Sequence, residues 1–436
     1  MSRWIKAAWW LVLLGPAVAV VIVILRYGVN VPYAEEWDFV AFFALQEVGE
    51  LRWIDIWAPH NEHRMVVPKL LMLGLAPLTG WNLRAEMLLS AAIAFSSVLL
   101  LLALARPALR EAGPWVRIWA TFTLSLLVFS LAQVGNWLWG WQVQWYVAVF
   151  GAVLAVAMTT WSLGRERPWA HVAVGALAAL LCQYSLASGA AIWPLCAAIL
   201  AFHASRARVL GFWLAIGFGS TLLYAIGYER PQGLPALSVV LSDPAGLMRY
   251  VGYYLAGPFG RHAGNGAAVT LAFAVLAWIV CRRHRHRPEL FMPWIAIAGF
   301  VMANALLTGI GRLGMGAEQA QTTRYVTISL LLAAALVPLG VAAFSRTRDE
   351  RWPSLRRLAG FVGAALLTAS VVATDIRRMS DIEEFSRSKV AGRDCVLALE
   401  TASDDCLRNL HPNPATVRMK ASELKALRLS LFAPNG

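Results

Sequence analysis

The sequence predicts an all-α polytopic membrane protein of about eleven transmembrane helices, with interfacial helices in its first outer loop and a short C-terminal periplasmic tail. Three observations predict it. Of the 436 residues, 59% are hydrophobic and only 14% charged, against about 25% charged in a soluble domain. Apolar runs of near-membrane length recur along the chain. Basic residues fall in every second connection between those runs, as the positive-inside rule asks of cytosolic loops. The net charge of +13, from 38 Lys and Arg against 25 Asp and Glu, is then topological, and a nucleic-acid partner is excluded.

The runs are Ala7–Tyr27, Met87–Ala105, Ile118–Val134, Trp145–Leu163, Val172–Tyr184, Ala190–Phe202, Val209–Tyr228, Ala267–Val280, Leu290–Leu307, Val326–Phe344 and Leu358–Ala373. Several fall short of the roughly 20 residues of a straight span, so their ends are soft. With Arg3 and Lys6 in the cytosol, the connections returning there carry Arg106, Arg110 and Arg117, then Arg165 and Arg167, Arg206 and Arg208, Arg282, Arg283, Arg285 and Arg287, and finally Arg346, Arg348, Arg351, Arg356 and Arg357. Met65–Leu78 is apolar but short, and counting it as a span would move all these basic loops outside; it is read as an interfacial or re-entrant helix. Ala7–Tyr27 has the outline of a signal peptide but no clear small-residue cleavage site, which favours a retained anchor.

The chain thus divides into a membrane domain, residues 1–374, whose first outer loop is 28–82, and a tail, residues 375–436, left outside by the odd span count. In an oxidising compartment Cys395 and Cys406 are spaced for a disulfide, whereas Cys182, Cys196 and Cys281 lie in or beside spans as packing residues.

The stretch from Glu35 to Glu86 carries eight of the 25 acidic residues. It opens with "EEWD", where Glu36 and Asp38 suggest a general base or a cation ligand, Trp37 an interfacial anchor, and Glu35 no task of its own. Phe39, Phe42, Phe43 and Gln46 are spaced for a helix lying along the membrane. Next comes "HNEHR", His60, Asn61, Glu62, His63 and Arg64. Its spacing matches neither HExxH nor HxxEH, so ligand binding competes with a merely polar helix start, while Arg64 suits bidentate phosphate binding. In the second outer loop, "NWLWGWQVQWY", an extended backbone would send Trp137, Trp139, Trp141 and Trp145 to one side and Gln142 and Gln144 to the other. Indole faces could stack on a sugar there, or serve only as an aromatic belt. The fifth outer connection carries Arg312 and Arg324, beside Tyr325, against the positive-inside trend; they suit an anionic lipid phosphate or snorkel to headgroups.

Together these residues suit a sugar carried on a polyprenyl phosphate, its tail in the bilayer and its headgroup at the surface. The chain resembles the GT-C superfamily of integral membrane glycosyltransferases: Glu36, Trp37 and Asp38 form an ExD in the first outer loop, on a body of many membrane helices. It is also similar to bacterial membrane proteins that combine "EWD", "HNEHR", a Trp/Gln loop and a "GR…RY" segment. The resemblance implies transfer from a polyprenyl-phosphate-linked sugar to a lipid or glycan acceptor on the outer face of a bacterial cytoplasmic membrane. It implies no particular cofactor and leaves room for a divalent cation. It implies Asp38, then Glu36, as the catalytic carboxylate, and Arg64, Arg312 and Arg324 on the donor phosphate. His60, Asn61, Glu62, His63, Trp141, Gln142, Gln144 and Tyr325 would hold the sugars, with His63 an alternative base. The rival expectation is a transporter or flippase of a lipid-linked saccharide, which should show internal repeats and midplane charges.

Overall fold

The computed structural model describes residues 3–202, 207–228, 237–344 and 353–434. Among the described residues every element is helical, apart from an isolated bridge between His60 and His63. A chain this apolar must satisfy its own backbone groups in lipid, and helices do so locally. Nine helices among the described residues are long and apolar enough to cross a membrane: Ala7–Tyr27, Leu83–Arg110, Pro114–Trp137, Gly140–Ser162, Ala207–Ala225, Ala263–Arg283, Met292–Met315, Thr323–Phe344 and Leu358–Leu397. The protein is an all-α, multi-pass membrane protein. Arg206, Arg346, Arg348 and Arg351 of the expected basic loops lie outside the described residues.

The two other expected spans are short. They form as Trp169–Gln183, 15 residues, and Ile192–Ala201, 10 residues; at about 1.5 Å per residue neither covers a core about 30 Å thick. Because the two are consecutive, a full double crossing and a dip with return leave the same sidedness for everything after them. The expected count of about eleven thus becomes nine full-length helices and a short pair.

Hydrogen bonds sort the connections onto two faces. Arg84 Nε donates to Gly28 O (2.7 Å) and Leu83 N to Asn30 Oδ1 (3.0 Å), so the loop 28–82 begins and ends on one face. Val66–Thr79 within it, 14 residues long, makes no net crossing. Val67 N donates to Tyr184 O, Arg64 Nε to Tyr224 O, Trp141 N to Glu36 Oε1 and Asn136 Nδ2 to Arg324 O. The second to fifth alternate connections therefore gather on that face. On the opposite face Arg287 and Glu111 pair at 2.5 Å across two of the basic connections.

At the centre of the bundle Thr323–Phe344 is buried along nearly all its length, while Ala263–Arg283 and Leu358–Leu397 leave apolar residues such as Leu271, Trp278, Phe361 and Leu366 exposed to lipid. In the first loop Glu36–Glu47 forms the expected helix, but Phe39 and Phe43 are buried against Trp81 rather than turned to lipid. Trp37, expected as an interfacial anchor, is also fully buried.

The tail is packed on the cavity-bearing face. Helix Pro353–Arg377 runs into Met379–Leu397, so the boundary at 374 falls inside a helix. Cys395 and Cys406 form the expected disulfide, with Cα atoms 6.2 Å apart. Ser386 Oγ donates to Tyr27 O (2.8 Å), Ala34 N to Leu410 O (2.7 Å) and Ser430 N to Gly80 O (2.7 Å). These bonds dock it on the first loop.

Candidate functional site

All five connections of one face converge on a cavity of about 310 Å³, which falls at the small end of the range for small-molecule sites. Its first wall is the His60–His63 turn, closed by reciprocal bonds from His60 N to His63 O (2.7 Å) and from His63 N to His60 O (3.0 Å). Asn61 sits at φ 51°, a left-handed conformation that asparagine tolerates. The turn aims Glu62 at Arg312, with which it forms an ion pair, and leaves His63 Nε2 3.7 Å from Glu62 Oε1. His63 Nδ1 accepts from Ala187 N at 3.3 Å, anchoring the turn to the third connection.

The second wall is the Trp/Gln segment. It is helical, with Gly140–Gln142 a 3-10 turn leading into the helix Val143–Ser162, so the extended alternation expected for it does not occur. Trp141, Gln142, Gln144 and Trp145 nevertheless all line the cavity. Trp137 does not: it stacks on Phe129 and Tyr146 and donates Nε1 to Ser130 O (3.0 Å). Trp141 is fixed from behind, where its N–H donates to Glu36 Oε1 at 2.9 Å. A Cβ on Gly140 would collide with the Glu86 carboxylate and lie 3.1 Å from Glu36 Oε1, so only glycine lets the turn approach the two acids this closely.

Five buried polar atoms on residues lining the cavity have no hydrogen-bond partner among the described residues: Glu35 Oε2, His60 Nε2, Gln142 Oε1, Gln144 Oε1 and Trp145 Nε1. Each unmatched group costs about 1–3 kcal/mol, and their convergence marks the space as one that polar matter fills. Arg324 adds a cation; among the described residues it has no carboxylate partner, only the ring of Tyr325 at 5.9 Å. The cavity walls therefore carry one unpaired guanidinium, one unpartnered carboxylate oxygen, two amides and the Trp141 and Trp145 rings.

Several expected site residues lie elsewhere. Asp38 is exposed and does not line the cavity, although its charge acts on His60. Glu36 is 0% exposed and occupied, taking Tyr33 N (2.8 Å) on Oε2 and Trp141 N on Oε1. Burial pushes its carboxyl up, against the pull of Lys389 and of the two N–H donors. Arg64 is 2% exposed and spends its guanidinium on the carbonyls of Tyr224, Trp57 and Ile226, with Trp57 stacked at 5.0 Å. It is an internal tie, not a phosphate ligand. Arg312 is engaged by Glu62. Tyr325 lines the cavity with its OH held by Gln319 at 3.1 Å. The two histidines do border it, and burial lowers both imidazoles, for His60 against the attraction of Glu35 and Asp38 and for His63 against that of Glu62. Burial alone would raise Glu62, but His63 and Arg312 outweigh it and hold its carboxyl low.

Glu35, which the sequence gives no task of its own, lines the cavity. A signal for its neighbour was present: Glu36, Phe39, Val40 and Phe43 stand at i, i+3, i+4 and i+7, a single buried stripe that removes Glu36 from solvent. No group of three or more His, Cys, Asp or Glu among the described residues is arranged to hold a metal ion. Arg64→Met is expected to lower folding stability by about 2–4 kcal/mol, since three carbonyls lose a charged donor; thermal unfolding in detergent measures it, and unchanged stability would contradict the internal tie.

No protein-family model, no curated protein and no solved structure matches the chain.

Proposed function

We propose that the protein is a membrane glycosyltransferase of the GT-C kind, moving a sugar from a polyprenyl-phosphate donor to a lipid or glycan hydroxyl, with Glu35 as general base in place of Asp38 or Glu36. The observation that carries this reading is the presence, in the walls of one cavity, of an unpartnered carboxylate oxygen on Glu35 and an unpaired guanidinium on Arg324. Glu35 takes the acceptor proton as the acceptor oxygen bonds to the anomeric carbon. The bond from that carbon to the phosphate oxygen breaks with its electron pair, and polyprenyl phosphate leaves on Arg324. One such displacement inverts the anomeric centre. Trp141 and Trp145 supply faces for the sugar ring, and Gln142 and Gln144 accept from its hydroxyls. The described basic connections on the face opposite the cavity support, through the positive-inside rule, an outward-facing cavity, in this reading at the outer surface of a bacterial cytoplasmic membrane with the N-terminus in the cytosol and the tail in the periplasm.

The test is purified protein in liposomes with labelled polyprenyl-phosphate sugars and an extract of envelope acceptors. Release of polyprenyl phosphate in step with acceptor labelling is expected. Movement of the intact lipid across the bilayer without release would replace the enzyme by a transporter. In the same assay Asp38→Asn should keep turnover within about threefold, since surface substitutions rarely reach further than about 0.5 kcal/mol. A loss above a hundredfold would return the base to Asp38.

A further inference from the structure

Behind the cavity wall lies a second charged centre that does not touch the cavity. Glu36, Glu86 and Lys389 are each buried, Lys389 to 1% exposure. Glu86 accepts from Trp81 Nε1 at 2.9 Å, while its other oxygen has no hydrogen-bond partner among the described residues. Lys389, from the tail helix Met379–Leu397, donates to Leu138 O at 3.0 Å. It lies 5.5 Å from the Tyr33 ring centroid and 5.6 Å from that of Phe385. Its charge acts on both carboxylates. Glu36 in turn holds the main chains of Tyr33 and Trp141, the first just before Glu35 and the second at the start of the Trp/Gln wall. The tail grips the same stretch again where Leu410 O takes the N–H of Ala34 (2.7 Å), which sits at a left-handed φ of 48°.

We infer that Lys389 is a positioning residue for the cavity: by balancing the Glu36–Glu86 pair it lets Glu36 stay in place as the double acceptor that sets Glu35 on one wall and Trp141 on the other. The physical requirement is simple. Two carboxylates side by side in a buried site repel, and one of them takes up a proton or moves away unless a cation offsets the charge. The tail supplies that cation, so a segment that contributes no atom to the cavity governs its geometry. This deepens the proposed function and rests on it for its meaning, because the walls belong to the same cavity, but its primary readout needs no substrate.

The experiment is hydrogen–deuterium exchange on the full chain in detergent, following the amides of Tyr33 and Trp141. Lys389→Met is expected to speed exchange at both about tenfold or more. Adding Glu86→Gln removes one negative charge, returns the centre to the net charge it has with both carboxylates ionised and Lys389 protonated, and is expected to restore the slow exchange. Wild-type exchange in Lys389→Met overturns the inference, as does loosening that Glu86→Gln leaves uncorrected, since packing alone would not respond to a second charge. If Lys389→Met does not fold, recovery of a monodisperse protein in the double variant supports the inference, and failure to recover overturns it. If exchange behaves as expected while the wild type releases no polyprenyl phosphate, the transferase reading falls and the positioning role of Lys389 stands.

Discussion

Glu35→Gln should lower sugar transfer by about 10²–10⁴-fold, the range lost with a positioned general base, and leave folding intact. Glutamine keeps the length and polarity of the side chain but cannot take the acceptor proton. Glu35 makes no side-chain hydrogen bond that would be lost with the charge, its Oε2 being buried without a partner. The structure around it is held by main-chain bonds and by Glu36, which the change does not touch. Thermal stability should therefore stay within about 0.5 kcal/mol of the wild type. The loss should fall on kcat, because a missing base raises the barrier more than it weakens ground-state binding. Steady-state release of polyprenyl phosphate measures it, with Asp38→Asn alongside; a Glu35→Gln variant with wild-type kcat would remove Glu35 from the chemistry.

Proposing Glu35 in place of Asp38 rests on cavity lining and burial, which a sequence does not display. The helical body was legible, because a bilayer admits few backbone solutions and repeats the same apolar length at each crossing. The Cys395–Cys406 pair was legible from spacing and compartment. The Trp/Gln alternation misled because period two was read without the partner strand that an extended segment needs in order to pair its backbone; in the bundle it folds as a 3-10 turn and a helix. The burial of Glu36 could have been read from its stripe with Phe39, Val40 and Phe43.

The three arginines could not be sorted from sequence. Arg64, Arg312 and Arg324 are chemically alike, and what separates them lies far along the chain. Carbonyls of Tyr224 and Ile226 consume the first, the Glu62 carboxylate consumes the second, and no described acid reaches the third. Glu35 is hidden for a similar reason. It follows a left-handed Ala34 whose N–H bonds to Leu410, in the tail.

Arg324→Met is expected to cost about 10²-fold in kcat/KM, since charged hydrogen bonds are worth about 1.5–3 kcal/mol and 1.4 kcal/mol is tenfold. The sugar-linked phosphate is a diester with one negative charge; as its bond to the anomeric carbon breaks, the departing monoester gains a second. Arg324 thus meets more charge in the transition state than in the bound donor, and kcat should fall at least as far as KM rises. Arg324→Lys keeps the charge but loses the planar fork, so its activity should lie between. Folding should be unaffected in both, because the guanidinium has no ion-pair partner among the described residues and the Asn136 bond is to the main-chain oxygen of residue 324, which any side chain retains. Arg312→Met differs in kind, because it strands Glu62 beside the cavity and should lower stability together with activity. Equal stability losses in the Arg312 and Arg324 variants, or full activity in Arg324→Met, would show that the phosphate is held elsewhere.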